Sequence, residues 1–414
     1  MGKYRRILFV GIVVFGISFL TACTKTDVPQ EKITEKKEIN KIEEINEESE
    51  INVWEKGYNL PVDEEEREEA MSECKKMLES IQLIYKECDK GDSSNVVISD
   101  KTGEEMIKKL ETTGYPISFY DYREMCNYEK MEDFLVQSLN GKAGKVAFYK
   151  LHTDGGIGRH KFIYDGKDMY SLFANCMWDE NDTPVVTTVS YTRIKDWKYT
   201  EKGWFGYTLC VPEPPDVSEI VNGNRLLRVK PIKKEYREIA EKYLLPLGYQ
   251  GNNLLYSNWD ADHMSKLDYN GLYEYLYSIK HQKRFDPEQY PDGIPKEEFE
   301  ALMIECLPVT ADQIQKYAVS DTGYRTYAWS RLGCMNYSPD AFGTSMPEVT
   351  DIKENKDGTL SLTIDAVCEM TGSDSEISHV LIVQIRDDGS IKYLSNQVLE
   401  DGLEKVPAYQ YRLR

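Results

Sequence analysis

Two histidines and an aspartate lie within one short stretch, His152-Thr153-Asp154-Gly155-Gly156-Ile157-Gly158-Arg159-His160. A glycine-rich loop can cradle phosphate, but that geometry needs a strand before it and a helix after it. Here Lys161-Phe162-Ile163-Tyr164 continues as strand, so the spacing predicts a glycine-rich hairpin turn. The sharper alternative is a metal or ligand site, with His152 and His160 facing across the hairpin and Asp154 beside them. Two imidazoles and one carboxylate leave a zinc set incomplete unless a distant residue joins. Asn258-Trp259-Asp260-Ala261-Asp262-His263 gathers two carboxylates and a histidine. It lacks the glycine and terminal glutamate of a calcium loop and reads as a turn. No Gly-x-Ser-x-Gly, His-Glu-x-x-His or Walker loop occurs, and no cofactor motif is present. Five histidines in the whole chain leave little material for imidazole chemistry.

Aromatic residues offer a different chemistry. The chain has 29 tyrosines, and Trp178, Trp197, Trp204 and Phe205 fall in one strand-rich region. Strand propensity and half-buried packing account for most of them, but exposed rings could form a platform for sugars or peptides. Trp204 and Phe205 follow a predicted hairpin turn. Alternation puts their side chains on opposite faces, so one is expected in the core and the other outward as a binding contact.

The elements that would position these residues are legible from periodicity. Asp63 can cap a helix, with Glu66 completing a capping box. Apolar residues then recur at Ala70, Met71, Cys74, Met77, Leu78, Ile81, Ile84, Tyr85 and Cys88, an amphipathic stripe. Val96-Val97-Ile98 reads as a buried strand, Thr102 with Glu105 as a second helix start, and Asn127 to Leu139 as a third helix. From Lys145 the period changes to two, with strands near 145–152, 159–165, 168–177, 184–192, 196–200 and 204–211. Asp154-Gly155, Asp165-Gly166 and Glu201-Lys202-Gly203 supply turns. Pro212-Glu213-Pro214-Pro215 breaks the pattern. Helices follow near Lys234–Leu245, over Leu272, Tyr275, Leu276 and Ile279, from Ile294 to Cys306, and over Thr310–Tyr317. Strands near 347–353, 359–369, 377–386 and 391–397 close the chain. This is an α+β pattern of helices packed on antiparallel meanders, in two subdomains, 61–222 and 223–414.

The first residues report location. Lys3, Arg5 and Arg6 precede an apolar run from Ile7 to Phe19, and Leu20-Thr21-Ala22-Cys23 follows. That order is a secretory signal, shorter than the ~20 residues of a spanning helix. The Leu-Thr-Ala-Cys ending resembles the lipobox of bacterial lipoproteins. The resemblance implies cleavage after residue 22 and a diacylglyceryl group on Cys23, which anchors the chain to the outer face of the cell membrane. Residues 23–60 read as a polar tether, of roughly 35 Å end to end as a coil. The segments Gly248-Tyr249-Gln250-Gly251-Asn252-Asn253-Leu254, Leu272-Tyr273-Glu274-Tyr275-Leu276-Tyr277 and Gly293-Ile294-Pro295-Lys296-Glu297-Glu298-Phe299 resemble a family of lipoproteins of Gram-positive anaerobes. That resemblance carries no activity and transfers no catalytic residue.

A formal charge of −20 excludes nucleic acid and polybasic membrane contacts as partners. Eight cysteines besides Cys23 occur without any Cys-x-x-Cys, and Cys74 and Cys88 would lie ~21 Å apart on one helix. They are expected to be small buried hydrophobes. The reading is a lipid-anchored extracytoplasmic binding protein, without catalysis or cofactor, whose partner is an envelope glycan or protein. A cell-envelope hydrolase is the alternative. A solute-binding lipoprotein stands third, because the meander contradicts two α/β lobes.

Overall fold

The computed structural model describes residues 53–91, 95–119, 123, 125–321, 323, 325–333 and 340–413. The expected signal, Cys23 and the tether as far as residue 52 lie outside these residues; the tether's expected end falls too late, since Leu60 is buried and its amide donates to Tyr191 O at 3.0 Å. Helix α1, Glu64–Glu87, buries Ala70, Cys74, Met77, Leu78, Ile81 and Tyr85, the predicted stripe. Asp63 caps it by accepting from the Glu65 amide at 2.9 Å. Glu66 does not close the expected capping box; its carboxylate bonds Lys161 instead. Helix α2, Asp100–Glu111, is capped by Ser99, and α3 spans Glu129–Leu139.

Seven strands follow in chain order across one sheet: β1 Ile117–Ser118, β2 Gly144–Leu151, β3 Ile157–Tyr164, β4 Met169–Trp178, β5 Pro184–Tyr199, β6 Trp204–Leu209 and β7 Asn224–Arg228. Only β1, parallel to β2, departs from antiparallel pairing. The expected strands at 184–192 and 196–200 are one strand, β5, irregular between Ile194 and Asp196. Val96 to Ile98 joins no ladder, although the Ile98 amide donates to Thr153 O at 2.8 Å. The expected boundary at 222/223 falls one strand too early. After the proline turn the chain returns beside β6, with the Leu209 amide donating to Gly223 O at 2.9 Å, and β7 completes the first sheet. Only glycine allows this approach, since a Cβ on Gly223 would meet Leu209 O at 2.5 Å.

The later part packs α4 Lys234–Ile239, continued by a π-helical turn Ala240–Leu244, with α5 Tyr269–His281, α6 Lys296–Cys306 and α7 Ala311–Tyr317. These surround a four-stranded antiparallel sheet, β11 Met346–Glu354, β12 Leu360–Val367, β13 Ser378–Ile385 and β14 Ile391–Val398. Three short strands, β8 Ile294–Pro295, β9 Ser320–Asp321 and β10 Thr326–Tyr327, pair beside them. The fold is thus α+β, and Lys56–Arg414 forms one compact unit.

The first sheet curls. Phe162 on β3 and Phe205 on β6 have ring centroids 5.2 Å apart. Three strand spacings of ~4.8 Å would hold them about 14 Å apart in a flat sheet. The concave face therefore closes on Phe148, Phe162, Ile194, Phe205 and Tyr207, and α3 adds Met131, Phe134 and Leu135. The opposite face of β3 carries Arg159 and Lys161, both buried beneath α1. Arg159 Nε donates to Glu73 at 2.7 Å, and Lys161 bonds Glu69 at 2.7 Å and also Glu66. Tyr149 donates to the same Glu73 at 2.9 Å.

Removing one partner from a buried pair strands the other charge, at about 3 kcal/mol or more. Glu73→Ala is therefore expected to lower stability by about 3 kcal/mol, against ~0.5 kcal/mol or less for Glu64→Ala, whose carboxylate is exposed. Urea unfolding of both variants checks this.

Candidate functional site

Alternation along β2, β3 and β4 places Lys150, Gly158, His160, Phe173 and Asn175 on the concave face. Lys150 is opposite Gly158, which is opposite Asn175, and Phe148 is opposite His160, which is opposite Phe173. Ser190 is opposite Phe173 on β5, and Arg225 on β7 is opposite Tyr207. The face is divided. Half is sealed by α3 and the aromatic core. The other half carries Lys150, His152, His160, Phe173, Asn175, Ser190 and Arg225, all only partly buried.

Gly158 makes the floor of this open half. A Cβ there would meet His152 Nε2 at 3.0 Å and Phe173 Cε2 at 3.1 Å. The missing side chain lets both rings lie against the strand. His160 stands next, its ring centroid 4.7 Å from Phe173, 5.9 Å from Phe148 and 6.0 Å from Phe162. Burial, then the neighbouring Lys150, His152 and Arg225, push the His160 pKa down to about 3. The imidazole is neutral at physiological pH, with the cations Lys150 and Arg225 near it, although the chain as a whole is strongly acidic. Arg225 is held at one end, with Nη1 donating to Asn222 O at 3.1 Å and Asn224 O at 2.6 Å.

The candidates read from sequence are placed differently from one another. His152 and His160 share the concave face, but they do not sit directly across the hairpin, since His160 pairs with Phe148. Asp154 Oδ1 accepts from the Gly156 amide at 2.8 Å and serves the turn. Among the described residues no group of three or more His, Cys, Asp and Glu side chains is arranged to hold a metal ion. Asp260 accepts from the Asp262 and His263 amides at 2.9 and 3.0 Å, the turn expected there, with its ion pair to His263 exposed.

The expectation that Trp204 or Phe205 faces outward does not hold, because they are 1% and 0% exposed. They do point to opposite faces, but both faces are covered. Phe205 joins the concave core, while Trp204 packs with Leu226 and Val367 and donates through Nε1 to Glu348 at 3.2 Å. Lys150, Phe173 and Arg225 were not singled out from sequence. Period-two alternation could have flagged Lys150 and Phe173, but nothing local marks Arg225. Cys74, Cys176, Cys210, Cys306 and Cys368 are buried free thiols, as expected of small hydrophobes. Burial pushes Cys74 up to about 12 and Cys176 to about 11, so neither offers a thiolate near neutral pH.

These features define a class: a mixed α+β protein built on a curled antiparallel sheet whose concave face is half open. The chain belongs to DUF6070, a family of unknown function, whose pattern matches residues 67–412 and so contains the whole concave face. No curated protein and no solved structure matches it.

The neutral imidazole has a pH signature. A histidine whose folded pKa lies below its ordinary value of 6.5 contributes stability above that value, lost as pH falls toward the folded pKa, here about 3. His379, buried between Tyr249 and Asn396 and pushed down to about 4, acts in the same direction. His160→Phe is therefore expected to flatten the fall in urea midpoint between pH 6.5 and 4 relative to the parent chain. An unchanged slope would place His160 outside this ring cluster.

Proposed function

We propose that this chain is a lipid-anchored extracytoplasmic protein of the cell envelope that binds a partner at the open half of its concave sheet face and performs no catalysis itself. The observation that carries the binding reading is the set of rings His152 and Phe173, laid against Gly158, with His160 beside Phe173. Rings held on a rigid sheet present contact area at little entropic cost. Among the described residues, the ring contacts of His160 are to Phe148, Phe162 and Phe173, an arrangement suited to stacking. An envelope glycan or protein is the partner this surface suits. The anchor rests on Leu20 to Cys23. No helix among the described residues is long and apolar enough to cross a membrane.

Two experiments test the halves of this reading separately. Cys23→Ser is expected to leave an uncut, unlipidated precursor in cells, and inhibition of the lipoprotein signal peptidase should also preserve the precursor. Normal processing under both conditions removes the anchor. Phe173→Ala is expected to weaken capture of purified envelope material while retaining a cooperative melt. Capture at the parent level moves the binding surface elsewhere.

A further inference from the structure

Building on the binding reading above, we propose that the free edge of β5, residues 185–190, takes an extended basic segment of a partner protein as an added strand beside the concave face. β5 outruns its neighbours on that side. From Ile194 onward it pairs with β6. Short contacts follow: the Cys210 amide donates to Arg193 O at 2.9 Å, the Arg193 amide to Gly57 O at 2.7 Å and the Leu60 amide to Tyr191 O at 3.0 Å. This extension stops at Pro61, which has no N–H to offer, and Asp63 then caps α1. Among the described residues, no hydrogen bond reaches the outer backbone of residues 185–190. Arg193 turns both its N–H and its C=O outward, so alternation turns those of Val189 outward too. The edge already accepts one stretch of extended chain, Gly57 to Leu60, and that stretch stops short of the strand's end.

Natural sheets guard such edges with charge, proline or a bulge. No charged residue stands from Pro184 to Ser190, and Pro184 only opens the strand. The irregularity between Val186 and Thr188 leaves Thr188 to Arg193 in regular register with β4. Val185 is 42% exposed, and Thr187 and Thr188 are exposed as well. A row of outward amides and carbonyls at strand spacing is met by the backbone of another strand, which selects polypeptide over glycan. Ser190 lies opposite Phe173 and Thr188 opposite Asn175, so alternate side chains of the added strand would extend the concave face beside them. Charge selects the segment. In the turn that opens β5, Asp182 is paired with Lys90 at 2.6 Å, while Glu180 is exposed. The net charge of −20 repels a second copy of the chain and attracts a basic segment.

The test titrates the full chain in detergent with a fluorescent peptide, Lys-Thr-Val-Thr-Val-Thr-Val-Lys, read by anisotropy. Two controls are the same peptide N-methylated throughout, which cannot pair as a strand, and a version with glutamate at both ends. The lysine peptide is expected to bind and to slow hydrogen exchange at the Val189 amide. Val189→Pro, which removes an outward donor and no bond to β4, should weaken binding about fivefold, the loss expected for one backbone hydrogen bond. If that variant fails to fold, the N-methylated peptide carries the same test and is expected not to bind. No binding of the lysine peptide, equal binding of the N-methylated one, tighter binding of the glutamate one, or unchanged exchange at Val189 overturns the proposal. Exchange at Val189 that is already slow in the free protein also overturns it, since the tether or a second copy then holds the edge. Capture of envelope material separates the two levels. Capture lost in Phe173→Ala but intact in Val189→Pro leaves the binding reading standing and removes the edge. Capture lost in Val189→Pro but intact in Phe173→Ala keeps the edge and removes the rings. Capture unaffected by either removes both.

Discussion

Two cations buried in the middle of a sheet set the terms on which the first half of this protein folds. Arg159 and Lys161 alternate along β3 with Gly158, His160 and Phe162. A one-residue slip of that strand would turn the guanidinium and ammonium into the aromatic concavity and the rings toward the glutamates of α1. Either exchange is expensive, because an unpaired charge in an apolar core is among the costliest defects a fold can carry. Glu66, Glu69 and Glu73, at helical spacing on α1, accept the two cations and fix both the register of β3 and the seat of the helix. The candidate site inherits its geometry from this choice: which residues of β3 face the concavity was decided on the other side of the sheet. Glu69, held below its ordinary pKa chiefly by the Lys161 hydrogen bond, contributes stability present above the usual carboxylate range and lost as pH falls through its lowered value.

A second ionic contact joins the curled sheet to the four-stranded one. Arg228 Nη1 meets both oxygens of Glu348 at 2.9 and 3.0 Å, and Trp204 donates to the same carboxylate. Lys202 reaches Asp365 at 2.6 Å across the same junction. Burial raises Glu348 and lowers Arg228, so desolvation opposes the charge on each and their attraction recovers only part of it. Such a pair adds little net stability and more to the specificity of which surfaces meet. A cavity of about 30 Å³ lies beside it, lined by Trp204, Arg237, Glu241 and Glu348, with room for one or two waters rather than a ligand.

Local chemistry carried much of the architecture into the sequence. The α1 stripe and the turns at Gly155, Gly166 and Gly203, all with positive φ, were legible because apolar periodicity and left-handed turns are decided by neighbours a few residues away. So was the alternation that sorted Trp204 from Phe205. The strands at 294–295, 320–321 and 326–327 were not legible, since two-residue pairings have no period to read.

The sequence by itself determined the type of element at most positions, the α+β class and the residues that a lipoprotein signal would use. Tertiary structure alone decided what covers what. It buried both Trp204 and Phe205, because a second sheet far along the chain lies over one face while the curl closes the other. It returned the chain beyond Pro215 to complete the first sheet, and it brought Arg225 near enough to His160 to act on that imidazole. Burial and long-range charge depend on contacts between residues distant in sequence, and no local pattern of side chains encodes those.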